Sequence, residues 1–196
     1  MSKIALAIHG GAGTLVQGMM IPEKEKAYKK ALQLALDSGY KILENGGSSI
    51  DAVEKAVQEL ENSHLFNAGK GSVFTATETH EMDASIMDGN SLNAGAVSLI
   101  TGIKNPVSLA RDVMDKTEHV FLAGNGAIEF AKEVGYEIEN SDYFYDEFRH
   151  NQWLEIKDTD SFQLDHAKKK DSKFGTVGAV ALDKDGNIAA QLLREE

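Results

Sequence analysis

Apolar positions along the chain alternate between short runs and helical stripes, separated by glycine-rich or polar turns. Ile4 to Ile8 is a short apolar run ended by His9-Gly10-Gly11-Ala12-Gly13, the pattern of a buried strand that delivers a glycine-rich loop. From Glu23 to Asn45 the residues Ala27, Ala31, Leu34, Ala35, Ile42 and Leu43 keep helical spacing, and Asn45-Gly46 supplies a stop. Ser48-Ser49-Ile50-Asp51 reads as a capping box opening a second helix with a stripe of Ile50, Val53, Val57 and Leu60. Ser72 to Thr79, Ala84 to Asp88 and Gly95 to Thr101 read as strands, with Asp88-Gly89-Asn90 as one of the turns between them. Asn105-Pro106 predicts an N-cap followed by proline at the first helical position, with the helix running through Asp115. His119 to Ala123 returns as a strand, and Gly124 to Val134 is helical up to Gly135.

From about residue 136 to 173 the periodicity gives way to mixed charges and scattered aromatics, the composition of an exposed and mobile connector that ends in Lys168-Lys169-Lys170-Asp171-Ser172-Lys173. Tyr143, Phe144, Tyr145, Phe148 and Trp153 are expected to pin its first half to the surface. Thr176 to Asp183 is a clean strand, Lys184-Asp185-Gly186 a turn, and Asn187 begins another strand. The class is mixed α and β, and periodicity alone leaves open a single parallel sheet or two stacked antiparallel ones.

Composition narrows the partners. Twenty Lys and Arg against 31 Asp and Glu give a net charge of −11 over 196 residues, and the three arginines cannot build a basic face, which argues against nucleic acid or an anionic membrane. A small-molecule or peptide substrate fits better. The absence of cysteine removes disulfides, thiolate metal sites and cysteine nucleophiles. No apolar stretch reaches membrane-spanning length, and the opening residues lack a signal-peptide pattern, so the cytoplasm is the expected location.

The phrase Phe174-Gly175-Thr176-Val177-Gly178-Ala179-Val180 carries the most chemistry. Cleavage of the Gly175–Thr176 bond would give Thr176 both a hydroxyl nucleophile and an α-amine with a pKa of roughly 7.7–8.0, able to take the hydroxyl proton near neutral pH. The plainer reading is a threonine that begins a strand. His9-Gly10-Gly11 could present backbone N–H groups to an oxyanion, although no Gly-x-Ser-x-Gly elbow accompanies it, and a tight strand-to-helix turn is the alternative. Leu65-Phe66-Asn67-Ala68-Gly69-Lys70-Gly71-Ser72 matches a phosphate loop in composition only: His64 replaces the first Walker glycine, and Gly71 the magnesium-binding hydroxyl. It reads instead as a kinked loop whose carbonyls turn toward a cation or whose Asn67 amide reaches an active site. The cluster around His80 is expected at a solvated strand edge, since no second zinc-spaced histidine follows.

Taken together, His9-Gly-Gly-Ala-Gly13, Gly47-Ser-Ser-Ile-Asp-Ala-Val53, Leu65-Phe-Asn-Ala-Gly69, Met82-Asp83, Met87-Asp-Gly89, Asn93-Ala-Gly-Ala-Val97, Asn105-Pro106 and the stretch from Gly175 to Asp183 resemble plant-type asparaginases, also called isoaspartyl peptidases. The likeness runs from Ile4 to about Ala190. It implies an N-terminal-nucleophile hydrolase with an αββα sandwich, made as a precursor that cuts itself at Gly175–Thr176. Residues 1–175 would form the α-subunit region and residues 176–196 the start of a β-subunit, within a heterotetramer of two α and two β subunits. Thr176 would attack asparagine or a β-aspartyl dipeptide, with Asn67 as an active-site partner and His9, Gly10 and Gly11 near the nucleophile. Backbone groups of Leu60, Glu61, Ser63, Phe66, Ala68 and Lys70 match a structural sodium loop, and no organic cofactor is implied.

Family members continue beyond Ala190 into a Thr/Ser/Gly-rich segment carrying a second catalytic threonine and an Arg and Asp that clamp the substrate. Gln191 to Glu196 does not resemble it, and Arg111, Arg149 and Arg194 are not assignable to the clamp. The expectation is a chain inactive alone, with sheet edges left unpaired by a strand that stops early. Its rivals are a glycosylasparaginase and a non-catalytic relic or pairing subunit of the same fold.

Overall fold

The computed structural model describes residues 3–11, 21–157 and 175–195. The lysine-rich stretch at 168–173 and the loop positions Ala12 and Gly13 lie outside them. The chain begins with strand β1 (Ala5–His9), followed by helices α1 (Pro22–Glu44) and α2 (Ser49–Glu61). Ser48 opens α2 as its side chain accepts the Asp51 N–H, satisfying one of the free donors of the first turn. Ile50, Val53, Val57 and Leu60 are all buried, so the stripe read from spacing is the one that packs. In α1 the buried line is Ala35, Gly39 and Leu43, while Leu34 stays 55% exposed, one position off the packed face.

Strands β2 (Met82–Asp88) and β3 (Ala94–Ile100) follow, then helix α3 (Pro106–Lys116), the short strand β4 (Phe121–Ala123) and helix α4 (Gly124–Glu133). Two short helices, α5 (Ser141–Phe144) and α6 (Glu147–Ile156), occupy the first part of the segment read as an exposed connector, and Phe144 is buried. Their starts are set locally: Asn140 accepts from the N–H groups of Asp142 and Tyr143, and Asp146 from that of Arg149. Strands β5 (Thr176–Leu182) and β6 (Ile188–Glu195) complete the chain.

The mixed α and β class is borne out as one six-stranded sheet ordered β1-β5-β6-β2-β3-β4. Every pairing is antiparallel except β3 with β4. The unpaired edges expected from an early-ending strand are not found at β6. It lies inside the sheet, paired with β5 on one side and β2 on the other, and β1 and β4 form the edges.

Strand alternation sends Met82, Ala84, Ile86, Val97, Val177, Ala179, Ala181, Ala189 and Leu193 to one face, all buried under helices. Helix α2 covers β5 and β6, and α3 covers β2 and β3. The opposite face carries Val180, Ile188 and Leu192, each half or more exposed, with Met87 beside them. This is one helix layer on one sheet layer, half of the four-layer arrangement implied by the resemblance.

The expected strand at Ser72–Thr79 does not form. Gly69–Gly71 is a single 3-10 turn, and the following residues close on themselves as an irregular loop. In that loop the Thr75 backbone N–H donates to Thr79 O, and the hydroxyls of Thr75 and Thr79 meet at 2.7 Å. Local side-chain bonds of this kind compete with ladder formation and outweigh the β preference of the threonines and valine. His80 is 6% exposed instead of edging a strand in solvent, its Nδ1 3.0 Å from Ser72 Oγ and 3.2 Å from the Val73 carbonyl. Burial pushes its imidazole below the usual histidine range, against the upward pull of those two bonds.

Candidate active site

The site forms where three segments far apart in sequence meet at the start of β5. The first is the turn leaving β1. His9 pairs with Gly178 across the sheet and lies on the open face, and the chain then bends through Gly10 and Gly11. Gly10 rests on Phe66 and Leu32, where a Cβ would come within 2.9 Å of Leu32 Cδ2. Gly11 has φ +109°, a conformation open to glycine, and a Cβ there would point at the Thr176 backbone 3.5 Å away. The glycine loop therefore abuts the Gly175–Thr176 peptide.

The second segment is the loop after α2. Phe66 is 1% exposed and meets Tyr28 edge-on at 5.6 Å, which anchors the next residue, Asn67. The Asn67 side-chain oxygen accepts the Val73 N–H at 3.0 Å, and its amide nitrogen then donates to the Gly175 carbonyl at 3.3 Å. The third segment is Gly175 itself. A Cβ there would lie 2.7 Å from Asn67 Cβ, so only glycine allows the amide this close. Pairing of Thr176 with Arg194 in the antiparallel ladder sets Thr176 on the open face in line with Gly178 and Val180. Of the residues singled out in the sequence, His9, Gly10, Gly11, Asn67, Gly175 and Thr176 thus come together in one place.

The same loop contains the candidate cation ligands. Leu60 and Glu61 end α2, and the chain folds back so that Gly69, at φ +53°, lies against the Glu61 carbonyl, 2.6 Å from where a Cβ would be. Gly71 lies against the carbonyls of Phe66 and His64. The Leu60 and Ala68 carbonyls also accept the N–H groups of Ser63 and Gly71, and Ser63 Oγ accepts from Leu65. The Lys70 side chain turns away, its ammonium 5.5 Å from the Tyr143 ring centroid. The carbonyls of Glu61, His64 and Phe66 thus pack against glycine α-carbons, while those of Leu60 and Ala68 are engaged by N–H groups. Among the described residues no group of three His, Cys, Asp or Glu side chains stands ready to hold a metal.

Two side chains that sequence reading passed over brace this loop. The Glu61 carboxylate is fully buried and accepts the Val107 N–H at 2.9 Å and an N–H of the Asn105 amide at 2.9 Å. It therefore caps α3 from outside that helix, and Asn105, which spacing alone would make the cap, serves by donating to Glu61. Burial pushes the Glu61 carboxyl up to about 8, although both N–H donors favour its ionised form. Arg149, from α6, donates to the Gly71 carbonyl at 3.2 Å. Glu54 and Glu59 are glutamates of α2 as well, and nothing in the sequence pattern singles out Glu61 as the buried one.

The chain matches the asparaginase family model over residues 2–191 and belongs to that family. It is 46% identical over 193 residues to an isoaspartyl peptidase of Escherichia coli, covering 97% of this chain and 60% of that protein. A plant-type L-asparaginase of Pyrococcus horikoshii is 42% identical over 195 residues, covering 95% of this chain and 61% of the relative. An isoaspartyl peptidase/L-asparaginase of Xenopus laevis is 42% identical over 188 residues, covering 95% of this chain and 58% of its own length. The chain thus spans about 60% of the length of the curated relatives it matches. Among the described residues no helix is long and apolar enough to cross a membrane.

Proposed function

We propose that this chain carries the nucleophile half of a self-processing threonine amidohydrolase acting on β-aspartyl dipeptides and L-asparagine. The observation that carries the reading is the hydrogen bond from the Asn67 amide to the Gly175 carbonyl, the carbonyl immediately before Thr176. In self-cleavage the Thr176 hydroxyl oxygen bonds to the Gly175 carbonyl carbon while its proton passes to the departing nitrogen. The C–N bond breaks, leaving an ester and a free Thr176 amine, and water then hydrolyses the ester. As negative charge grows on the Gly175 oxygen, an amide already aimed at it stabilises the charge without having to reorganise.

In the processed form the Thr176 amine takes the hydroxyl proton as the oxygen attacks the side-chain carbonyl of the substrate. That proton leaves with ammonia or with the amine of the released amino acid, and water then resolves the β-aspartyl ester. With the Gly175 carbonyl gone, the Asn67 amide is free to serve the substrate oxygen in its place. Main-chain carbonyls of Leu60, Glu61, Ser63, Phe66, Ala68 and Lys70 would hold a sodium ion, whose chemistry is structural: it would fix the loop that aims Asn67. The open sheet face is the surface on which a second sheet would stack to complete the sandwich, in a protein of two α and two β subunits. The relatives named isoaspartyl peptidase and L-asparaginase support the substrate class.

Intact mass over time tests the nucleophile. In a polypeptide of the relatives' full length, a cut between Gly175 and Thr176 is expected. Thr176→Ala should abolish it and Asn67→Ala should slow it by about 10²–10³-fold, the worth of one oxyanion donor. Cleavage that persists in Thr176→Ala, or hydrolysis of β-aspartyl dipeptides by that variant, rejects the assignment.

A further inference from the structure

A second recess, whose lining includes none of Asn67, Gly175 and Thr176, opens between the loop at 74–80 and the segment at 138–150. Its volume is about 440 Å³, within the roughly 300–1,000 Å³ of small-molecule sites. Three carboxylates line it, those of Glu78, Glu139 and Asp142, and no lysine or arginine does. Glu78 is engaged by His150, Oε1 to Nε2 at 2.9 Å. Neither Glu139 nor Asp142 forms an ion pair among the described residues.

The walls between these carboxylates are aromatic. Phe74 sits at the centre, 4.2 Å from the His80 ring, 5.4 Å from His150 and 6.2 Å from Tyr145, whose side chain is half exposed. Ring faces attract cations, and unpaired carboxylates at the rim add to that attraction. A bare metal ion is the wrong occupant, because no three ligand-type side chains among the described residues converge to hold one. An anion would meet three like charges. We propose that this cleft binds a small organic ammonium ion, its alkyl body on the aromatic walls and its charge facing Glu139 and Asp142.

The occupant would sit close to the machinery described above without belonging to it. His80 lines the cleft and touches the Val73 carbonyl, and the Val73 N–H holds the Asn67 amide. The binding proposal does not depend on Thr176 being a nucleophile.

Trp153, the single tryptophan of the chain, stacks on His150 at 5.7 Å and stands 6.4 Å from Phe74, so its fluorescence reports on the cleft. The full chain is titrated with choline at constant ionic strength, beside the uncharged isostere 3,3-dimethylbutan-1-ol. A saturable response to choline is expected, weaker by about tenfold or more for the alcohol and for Glu139→Gln with Asp142→Asn. Equilibrium dialysis with labelled choline checks occupancy directly, and circular dichroism checks that the variant is folded. If the double variant does not fold, the exposed Asp142→Asn change alone and the choline-to-alcohol ratio decide. Equal affinity for choline and the alcohol, affinity unchanged in the folded variant, or no choline retained in dialysis overturns the proposal.

Discussion

The two faces of the sheet are built from the same strands and behave as different materials. On β6, Ala189 and Leu193 point under the helices and are essentially sealed from solvent, while Ile188 and Leu192 point the other way and are 58% and 51% exposed. Period-two alternation in a half-buried strand should place polar residues on the open side, yet here both sides are apolar. A strand apolar on both faces is the pattern of a middle layer. The proposed nucleophile stands on the uncovered side, where a second layer would enclose it. The helix face holds the packed core, and the open face presents the proposed nucleophile.

The largest expected effect that tests this contrast is Leu193→Ala. Leu193 is fully buried, and the truncation should cost about 2–5 kcal/mol in urea unfolding, as buried leucine truncations do. A cost below about 1 kcal/mol would show that the helix layer does not seal this face.

A pH effect comes next and is read on the same face. Because burial raises the Glu61 carboxyl to about 8, the folded state holds its proton more tightly than the unfolded state, in which the group titrates near its ordinary value of 4.5. The stability this contributes is fully present below the unfolded value. It is lost as pH climbs from there through about 8, and the loss levels off above that. In thermal unfolding from pH 5 to pH 9 the native chain should lose midpoint steadily, and Glu61→Gln should flatten that slope. Parallel slopes in the two proteins would assign the titration to another group.

Gln191 is the misfit of the covered face. It is 4% exposed, and neither of its amide atoms finds a partner among the described residues. A buried amide left this way costs about 1–3 kcal/mol, so Gln191→Leu should raise unfolding stability by up to about that amount. A loss of stability instead would reveal a partner for the amide.

These elements also show what the sequence made legible. Stripe spacing and the Ser48 cap located α2 because a helix start is a local event, decided within four residues. The meeting of Gly11, Asn67 and Gly175 was implied only by the resemblance to plant-type asparaginases, because their contact spans more than a hundred residues and spacing left a plain turn and a cation loop open. What spacing missed was settled by tertiary contact. The threonine-rich stretch before His80 has strand composition, but it folds onto its own hydroxyls and a buried imidazole. Glu61 looks like any solvated glutamate until α3 arrives with unsatisfied N–H groups beside it. The aromatics between residues 143 and 153 lack helical period, and the ring contacts of Tyr145, His150 and Trp153 with Phe74 join the caps at Asn140 and Asp146 in holding that segment.

The smallest expected effect is the sharpest test of the comparison. Leu192 lies one residue before Leu193, on the opposite face, so Leu192→Ala removes the same atoms from the same strand. With half of that side chain already in water, the change should stay within about 0.5 kcal/mol in urea unfolding. It should also be independent of protein concentration. A loss approaching that of Leu193→Ala, growing with concentration, would mean that a second copy covers the open face in solution. The same pair of variants in a polypeptide of the relatives' full length should then lose the contrast, since a second sheet would bury Leu192 as thoroughly as the helices bury its neighbour.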